Sequence, residues 1–391
     1  MPSNDNQTMR QLALVQLNSL LYTGALPAAV FDGSQIRKPG TPIYDLNGEL
    51  LFYRVPVTKG KGSIGFADVA ATPALGASLL RLTRGIEWDE QAIREEAIAQ
   101  ARKQTKELSY DQIRFVAYSP PKVAIQFLQG DREVLMLEWL TWAVVPEKRE
   151  RERDEPPSNF ERWSLLDEMP ARTRKANVTR FEEQVREWER LVASRNLSLT
   201  STSYRLDARY FADIDVALVV NDMRELHYST NLSDHHPCYE VRGQQTNVWC
   251  VAASVQMLLD FYRYNYLQTR LASELGLGTL ANPNGLPYSR DGDVVKVLQK
   301  MTSNALSAAM NTSPNWTQFR NEIRANRPLI SFVPGHSRTV AGYTRSGFVA
   351  LLFRGLLVYD PWPPNAGVIT QWENFDATTY RRTFTAQVTL V

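Results

Sequence analysis

The sequence predicts an α+β protein built from two compact units joined by a charged connector. Three observations carry this. Strand and turn signals surround one amphipathic helix within the first 146 residues. The mixed-charge run EKRERERDEPP then occupies residues 147–157, a composition that buries little and ends in two prolines. Past residue 235 a strongly apolar helical pattern precedes several β-branched runs.

In the first unit, Leu12, Leu14, Val15, Leu17, Leu20 and Leu21 are interrupted by Gln16, Asn18 and Ser19. That spacing suits an amphipathic helix rather than the uninterrupted apolar core of a secretory leader. Asn47-Gly48 lies between apolar runs within residues 42–57 and predicts a hairpin. A short strand is expected over Phe66 to Ala70. Ala92, Ile93, Ala97, Ile98 and Ala101 form one stripe of a helix over residues 88–107. Val116–Leu128 and Glu133–Val145 read as a second hairpin turning at Gly130-Asp131. These elements make a small sheet-and-helix domain over roughly 36–146, and the first unit is taken as 1–146.

The connector is expected over 147–234. Thr179 and Glu182 have the spacing of a capping box. Phe181, Val185, Trp188, Leu191 and Val192 then continue at helical spacing, which predicts a helix over 179–193. Tyr210 to Val220 is strand-like. The second compact unit is 235–391.

Composition narrows the function classes. With 44 basic and 42 acidic residues the net charge is +2, so no electrostatic footprint for nucleic acid or anionic membrane is present. Two cysteines, Cys238 and Cys250, are too few for a disulfide scaffold. No run approaches the roughly 18 apolar residues of a membrane span. The cytoplasm is the expected compartment, with leaderless export as the alternative. No phosphate-binding glycine loop is present and no cofactor is expected. The segment Asp234-His235-His236-Pro237-Cys238 has metal-ligand residue types. It lacks the spaced pairs of a structural zinc site, so it reads as a loop and no metal is expected.

The chemistry concentrates around Cys250. Val255, Leu258, Leu259 and Tyr262 share one face of a helix over 251–264, which puts Cys250 at its first turn. Unpaired N–H groups there stabilise a thiolate. Alone, such a cysteine reads equally well as a buried core residue. Gln244 lies six positions earlier. An amide at that offset can donate to the oxyanion formed when a thiolate attacks a carbonyl, with the Cys250 N–H as the other donor. Gln245 is the alternative, and either one also reads as a polar loop residue; the spacing favours Gln244. His336, in PGHSRTVAGY, follows a turn and enters a strand, which suits a rigidly held general base. Asp360, in LLVYDPWPP, ends an apolar strand before Pro361, where a carboxylate can fix the imidazole tautomer. His336 also reads as a loop-edge histidine and Asp360 as a turn residue. Their order, Cys then His then Asp on helix, strand and strand, favours the catalytic reading. Trp249 reads as a core residue packing the helix start.

The runs QQTNVWCVAAS, GHSRTVAGY and VYDPWPP resemble papain-like cysteine peptidases, in particular the bacterial branch similar to bacteriocin-processing peptidases and plant-pathogen effector proteases. The resemblance covers about 238–391. It implies a papain-like domain with a helical lobe carrying Cys250 and an antiparallel sheet carrying His336 and Asp360. It implies hydrolysis of protein or peptide substrates by a thiol protease. The sequence departs from plant papain in lacking its Cys-Gly-Ser-Cys-Trp type of signature and in a shorter Cys-to-His interval. Arg338 is atypical beside the histidine. The run from Gly48 to Gly85 is similar to the inhibitory pro-segments of streptopain-like proteases. That implies a zymogen, inhibited within the molecule and cleaved in 147–157; a recognition or scaffold domain is the alternative. Acyl transfer by a transglutaminase-like enzyme with the same triad, and a non-catalytic binding protein of papain-like fold, are the competing functions.

Overall fold

A computed structural model describes residues 12–13, 16–17, 20, 25–26, 28–31, 33–36, 40–105, 108–119, 122–146, 162, 164–195, 215–218, 239–346 and 353–389. Cys238, the Asp234–Cys238 cluster and the charged run at 147–157 lie outside the described residues.

Leu12, Ala13, Leu17 and Leu20 are helical and buried; Gln16, expected as a polar break, is buried with them and accepts from Ser78 Oγ and the Leu79 N–H. Five strands follow: β1 (Gln35–Ile36), β2 (Thr41–Asp45), β3 (Leu50–Lys59), β4 (Gly62–Ala70) and β5 (Leu79–Arg84). The β2–β3 hairpin turns at Asn47-Gly48, where Gly48 takes φ 86°, a left-handed conformation that glycine adopts at little cost. Helix α1 (Glu90–Gln104) is capped by Asp89, whose side chain accepts from the Ala92 N–H. It buries Ile93, Ala97 and Ala101, while Ala92 is exposed beside that face.

Strands β6 (Gln112–Ser119), β7 (Lys122–Gln129) and β8 (Arg132–Glu138) complete this part. The expected single strand Val116–Leu128 is therefore two, paired antiparallel to each other. Pro120 and Pro121 fall between them, and neither has an N–H to give to a ladder. The expected strand Glu133–Val145 stops at Glu138. One Glu138 carboxylate oxygen accepts from the Leu140 N–H, the Thr141 N–H and the Thr141 hydroxyl, which folds the chain into a turn.

Helix α2 (Ala171–Arg195) begins well before the expected 179. Thr179 and Glu182 are interior to it and cap nothing at its start, because the good helix formers between Pro170 and Thr179 extend the helix back to the proline. Strand β9 (Asp215–Leu218) is the described part of the strand expected at 210–220.

The C-terminal part contains α3 (Cys250–Phe261), α4 (Gln268–Glu274), α5 (Asp293–Met301), β10 (Leu306–Asn311) and α6 (Trp316–Arg324). It continues with β11 (Leu329–Val333), β12 (His336–Ser346), β13 (Phe353–Asp360), β14 (Val368–Asn374) and β15 (Arg382–Val388). Helix α3 is apolar nearly all round and its side chains from Val251 to Phe261, Gln256 excepted, are buried, as expected of a helix inside a core rather than on its surface.

The described strands form one sheet, in the order β10, β15, β11, β12, β13, β14, β5, β4, β3, β2, β6, β7, β8, with β1 on β3 and β9 on β12. The strands of the C-terminal part pair antiparallel, and β2 pairs parallel with β6. The sheet passes between the two parts through β14 and β5, with Glu373 opposite Arg81.

A row of alternating charge crosses that seam. Arg54 on β3 faces Asp68 on β4, and Asp68 faces Arg81 on β5. Arg54 Nε lies 2.8 Å and Arg81 Nε 3.1 Å from the Asp68 carboxylate. Arg338 on β12 forms a two-pronged pair with Glu373, at 2.5 Å. Arg338, atypical on sequence grounds, is thus the buried partner of a buried carboxylate on β14. Replacing Arg338 by Met strands that carboxylate and is expected to cost about 3–5 kcal/mol. The double change Arg338→Met with Glu373→Gln should recover much of the loss. Urea denaturation measures both; equal destabilisation by the single and double variants would contradict a coupled pair.

Candidate active site

The site is assembled by backbone clamps. The Gln244 N–H donates to the Pro361 carbonyl (2.9 Å), and the Asn365 N–H donates to the Gln244 carbonyl (2.8 Å). Gly243 is pressed against this loop; a Cβ there would meet Ala366 N at 2.2 Å, so the close approach requires glycine. The Gln268 side chain holds the same loop from α4, donating to the Gly243 carbonyl and accepting from the Gln245 N–H. The segment leading to Cys250 is therefore fixed beside the end of β13, which carries Asp360.

Cys250 is the first residue of α3, and Trp249 supplies no side-chain cap. The N–H groups of that first turn are left to stabilise negative charge. Trp249 is fully buried and its Nε1 donates to the Leu277 carbonyl (2.9 Å), so it packs the helix start. Helix α3 lies on β12. Ser337 Oγ donates to Ser254 Oγ (2.9 Å), and Tyr239 donates to Thr339 Oγ1 (3.2 Å).

His336 opens β12 directly after the two-residue turn Pro334-Gly335, with Gly335 at φ 70°. Its Nε2 lies 2.6 Å from Asp360 Oδ1. His336 and Cys250 line one cleft, and each acts electrostatically on the other. Asp360 Oδ1 further accepts from the Trp362 N–H (2.9 Å). The structure thus brings Cys250, His336 and Asp360 into one chain of contacts, with His336 and Asp360 buried and Cys250 half-buried.

The electrostatics agree in sign across all three. Burial raises the Cys250 thiol, but the hydrogen bond and charge of His336, the Lys122 ammonium and the Ser337 N–H outweigh it and hold the thiol below its ordinary value. Burial lowers the His336 imidazole, yet Asp360 and the thiol raise it overall. Burial raises the Asp360 carboxyl, while His336, Arg338 and the Trp362 N–H bring it below the usual carboxylate range. Each group therefore favours its charged form.

A cleft opens at the thiol, lined by Cys250, His336, Asn247, Lys122, Tyr288 and Arg381 among others. Arg381 lies over the Tyr288 ring, 3.5 Å from its centroid, and pairs with Asp291. Gln244 is buried, and its Nε2 donates to the Thr246 carbonyl (2.7 Å) rather than facing this cleft. Gln245 is exposed. Several lining residues escaped the sequence reading, Tyr288 and Arg381 as well as Asn247 and Lys122. Asn247 carries the same amide chemistry in the same loop and was within reach of it. Lys122 lies on β7, in the other part of the chain, and no local signal could have pointed to it. Among the described residues, no group of three or more His, Cys, Asp or Glu is arranged to hold a metal, and no helix is long and apolar enough to cross a membrane.

A buried Asp–His pair beside a half-buried cysteine at a helix start is an arrangement suited to nucleophilic thiol chemistry. Consistent with it, the model of the Peptidase_C39 like family matches residues 238–388. The match supports a papain-like cysteine peptidase in this part of the chain. Among curated proteins, none matches this chain.

The thiolate is lost as pH falls through a depressed thiol pKa, and the imidazolium is lost as pH rises through a raised imidazole pKa. Iodoacetamide alkylation of Cys250 should then have its midpoint below the roughly 8.5 of a free thiol. His336→Ala should move it up toward that value, and Asp360→Asn should move it in the same direction by less. A wild-type midpoint at the free-thiol value would remove the ion pair.

Proposed function

We propose that the chain is a cysteine peptidase that hydrolyses peptide bonds through an acyl-enzyme on Cys250. The observation that carries this is the His336 ring, bonded to Asp360 and lining one cleft with the Cys250 thiol. The Cys250 thiolate attacks the scissile carbonyl carbon. His336 gives its proton to the leaving amine, then takes one from the water that attacks the thioester, and Cys250 leaves as thiolate. Asp360 stays ionised and holds the ring. Acyl transfer to an amine would share the first half of this sequence and differ in the acceptor that attacks the thioester.

The oxyanion forms beside the Cys250 N–H, and its second donor is a side-chain amide of the 244–247 loop. Gln244 keeps one Nε2 hydrogen beyond its bond to Thr246, and Asn247 lines the cleft. Alanine at the true donor should lower kcat by roughly 10²–10³ with little change in KM. Alanine at the other should cost far less. A vinyl-sulfone peptide probe should label Cys250 stoichiometrically in the wild type and not in Cys250→Ala. Absence of both labelling and peptide turnover in folded protein would sink the proposal.

For the first 146 residues, an inhibitory pro-segment and a permanent wall of the enzyme predict different outcomes. The β5–β14 pairing and the buried charge row support the wall. So does the His336–Asp360 bond, which is made with the N-terminal strands in place. Cutting the folded chain at an engineered site within 147–157 should leave the fragments associated under native conditions and peptide turnover unchanged. Separation of the fragments with a rise in turnover would instead establish the zymogen reading.

A further inference from the structure

Lys122 is the first residue of β7 and belongs to the N-terminal strands, yet it lines the cleft that opens at Cys250. It is only 6% exposed, and a buried ammonium is costly unless an anion or a π face compensates it. Its Nζ lies 4.2 Å from the centroid of the Trp362 ring. That ring is held from two sides. The Trp362 backbone N–H donates to Asp360, and its Nε1 donates to Glu138 at the end of β8 (3.2 Å). The indole therefore sits between the catalytic carboxylate and the N-terminal strands, and it presents its face to the lysine.

The charges that act on Lys122 include the Cys250 sulfur at the start of α3, Glu138 on β8 and Asp360 on β13. Those facing the sulfur are His336 on β12 and Lys122 itself. Asp291 and Arg381 on the far wall pair with each other. Glu138 already accepts three hydrogen bonds from its own turn and one from Trp362, so it does not need the lysine for satisfaction. The Cys250 sulfur is the anion in this neighbourhood that appears and disappears during the reaction.

We propose that Lys122 is a positioning residue that holds the Cys250 thiolate from across the seam, so that the active site is shared between the N-terminal strands and the papain-like part. The inference rests on the Cys250–His336 reading given above. It also gives the N-terminal part a function other than inhibition: a second cation beside the nucleophile.

The test is the pH dependence of Cys250 alkylation by iodoacetamide in the full chain, carrying Lys122→Met, Lys122→Gln or Lys122→Arg. Removing a nearby cation should raise the alkylation midpoint by about one pH unit, and the acid limb of kcat/KM should move with it. Lys122→Arg should restore much of the shift. Methionine keeps the packing on Trp362, and glutamine gives the same readout if methionine disturbs the fold. Near-ultraviolet circular dichroism checks that each variant is folded. A low wild-type midpoint that is unchanged in both the methionine and the glutamine variants overturns the role of Lys122 alone. A wild-type midpoint at the free-thiol value overturns the Cys–His reading itself, so the two failures are distinct.

Discussion

The buried charge row at the seam is the constraint on which the rest of the molecule depends. Arg54, Asp68, Arg81 and Glu373 stand on four neighbouring strands in matching register, and Arg338 closes the row from β12. Desolvating five ionic groups brings little net stability. What it fixes is register: slipping β5 by one residue against β14 would turn Arg81 to the opposite face and leave Asp68 and Glu373 buried without it. Apolar residues alone would tolerate such a slip far better. With the register fixed, β7 reaches the Cys250 cleft at a defined place, through Lys122.

Asp360 plays the corresponding part within the site. One of its oxygens takes both the His336 ring and the Trp362 N–H. The first contact sets which imidazole nitrogen faces the thiol. The second fixes the indole on which Lys122 rests. A single carboxylate at a strand end thereby links His336 to the N-terminal strands. The loop from Gly243 to Gln244, clamped to the chain that follows Asp360, delivers the nucleophile helix to the same point.

Much of this was legible locally. The Asn47-Gly48 turn, the stripe of α1, the start of α3 at Cys250, the start of β12 at His336 and the end of β13 at Asp360 each follow from short-range rules of turn chemistry, periodicity and capping. The failures were local rules overruled by neighbours. Thr179 and Glu182 have capping-box spacing, but nothing before them stops the helix. Val116–Leu128 is rich in strand formers, but two prolines divide it. The LLRLTR segment of β5 gave no sign that it would join the two parts of the sheet, because its partner strand lies almost three hundred residues away.

The sequence by itself determined where Cys250, His336 and Asp360 stand, because each sits at an element boundary that neighbouring residues dictate. Tertiary structure alone decided what surrounds them. Whether an amide faces the cleft or its own loop, as Asn247 and Gln244 differ, depends on how the 243–247 segment is clamped to the chain after Asp360. Whether a lysine on a distant strand stands beside the thiol depends on a sheet continued through β5 and β14. Both are long-range packing outcomes, and no local pattern of residues carries them.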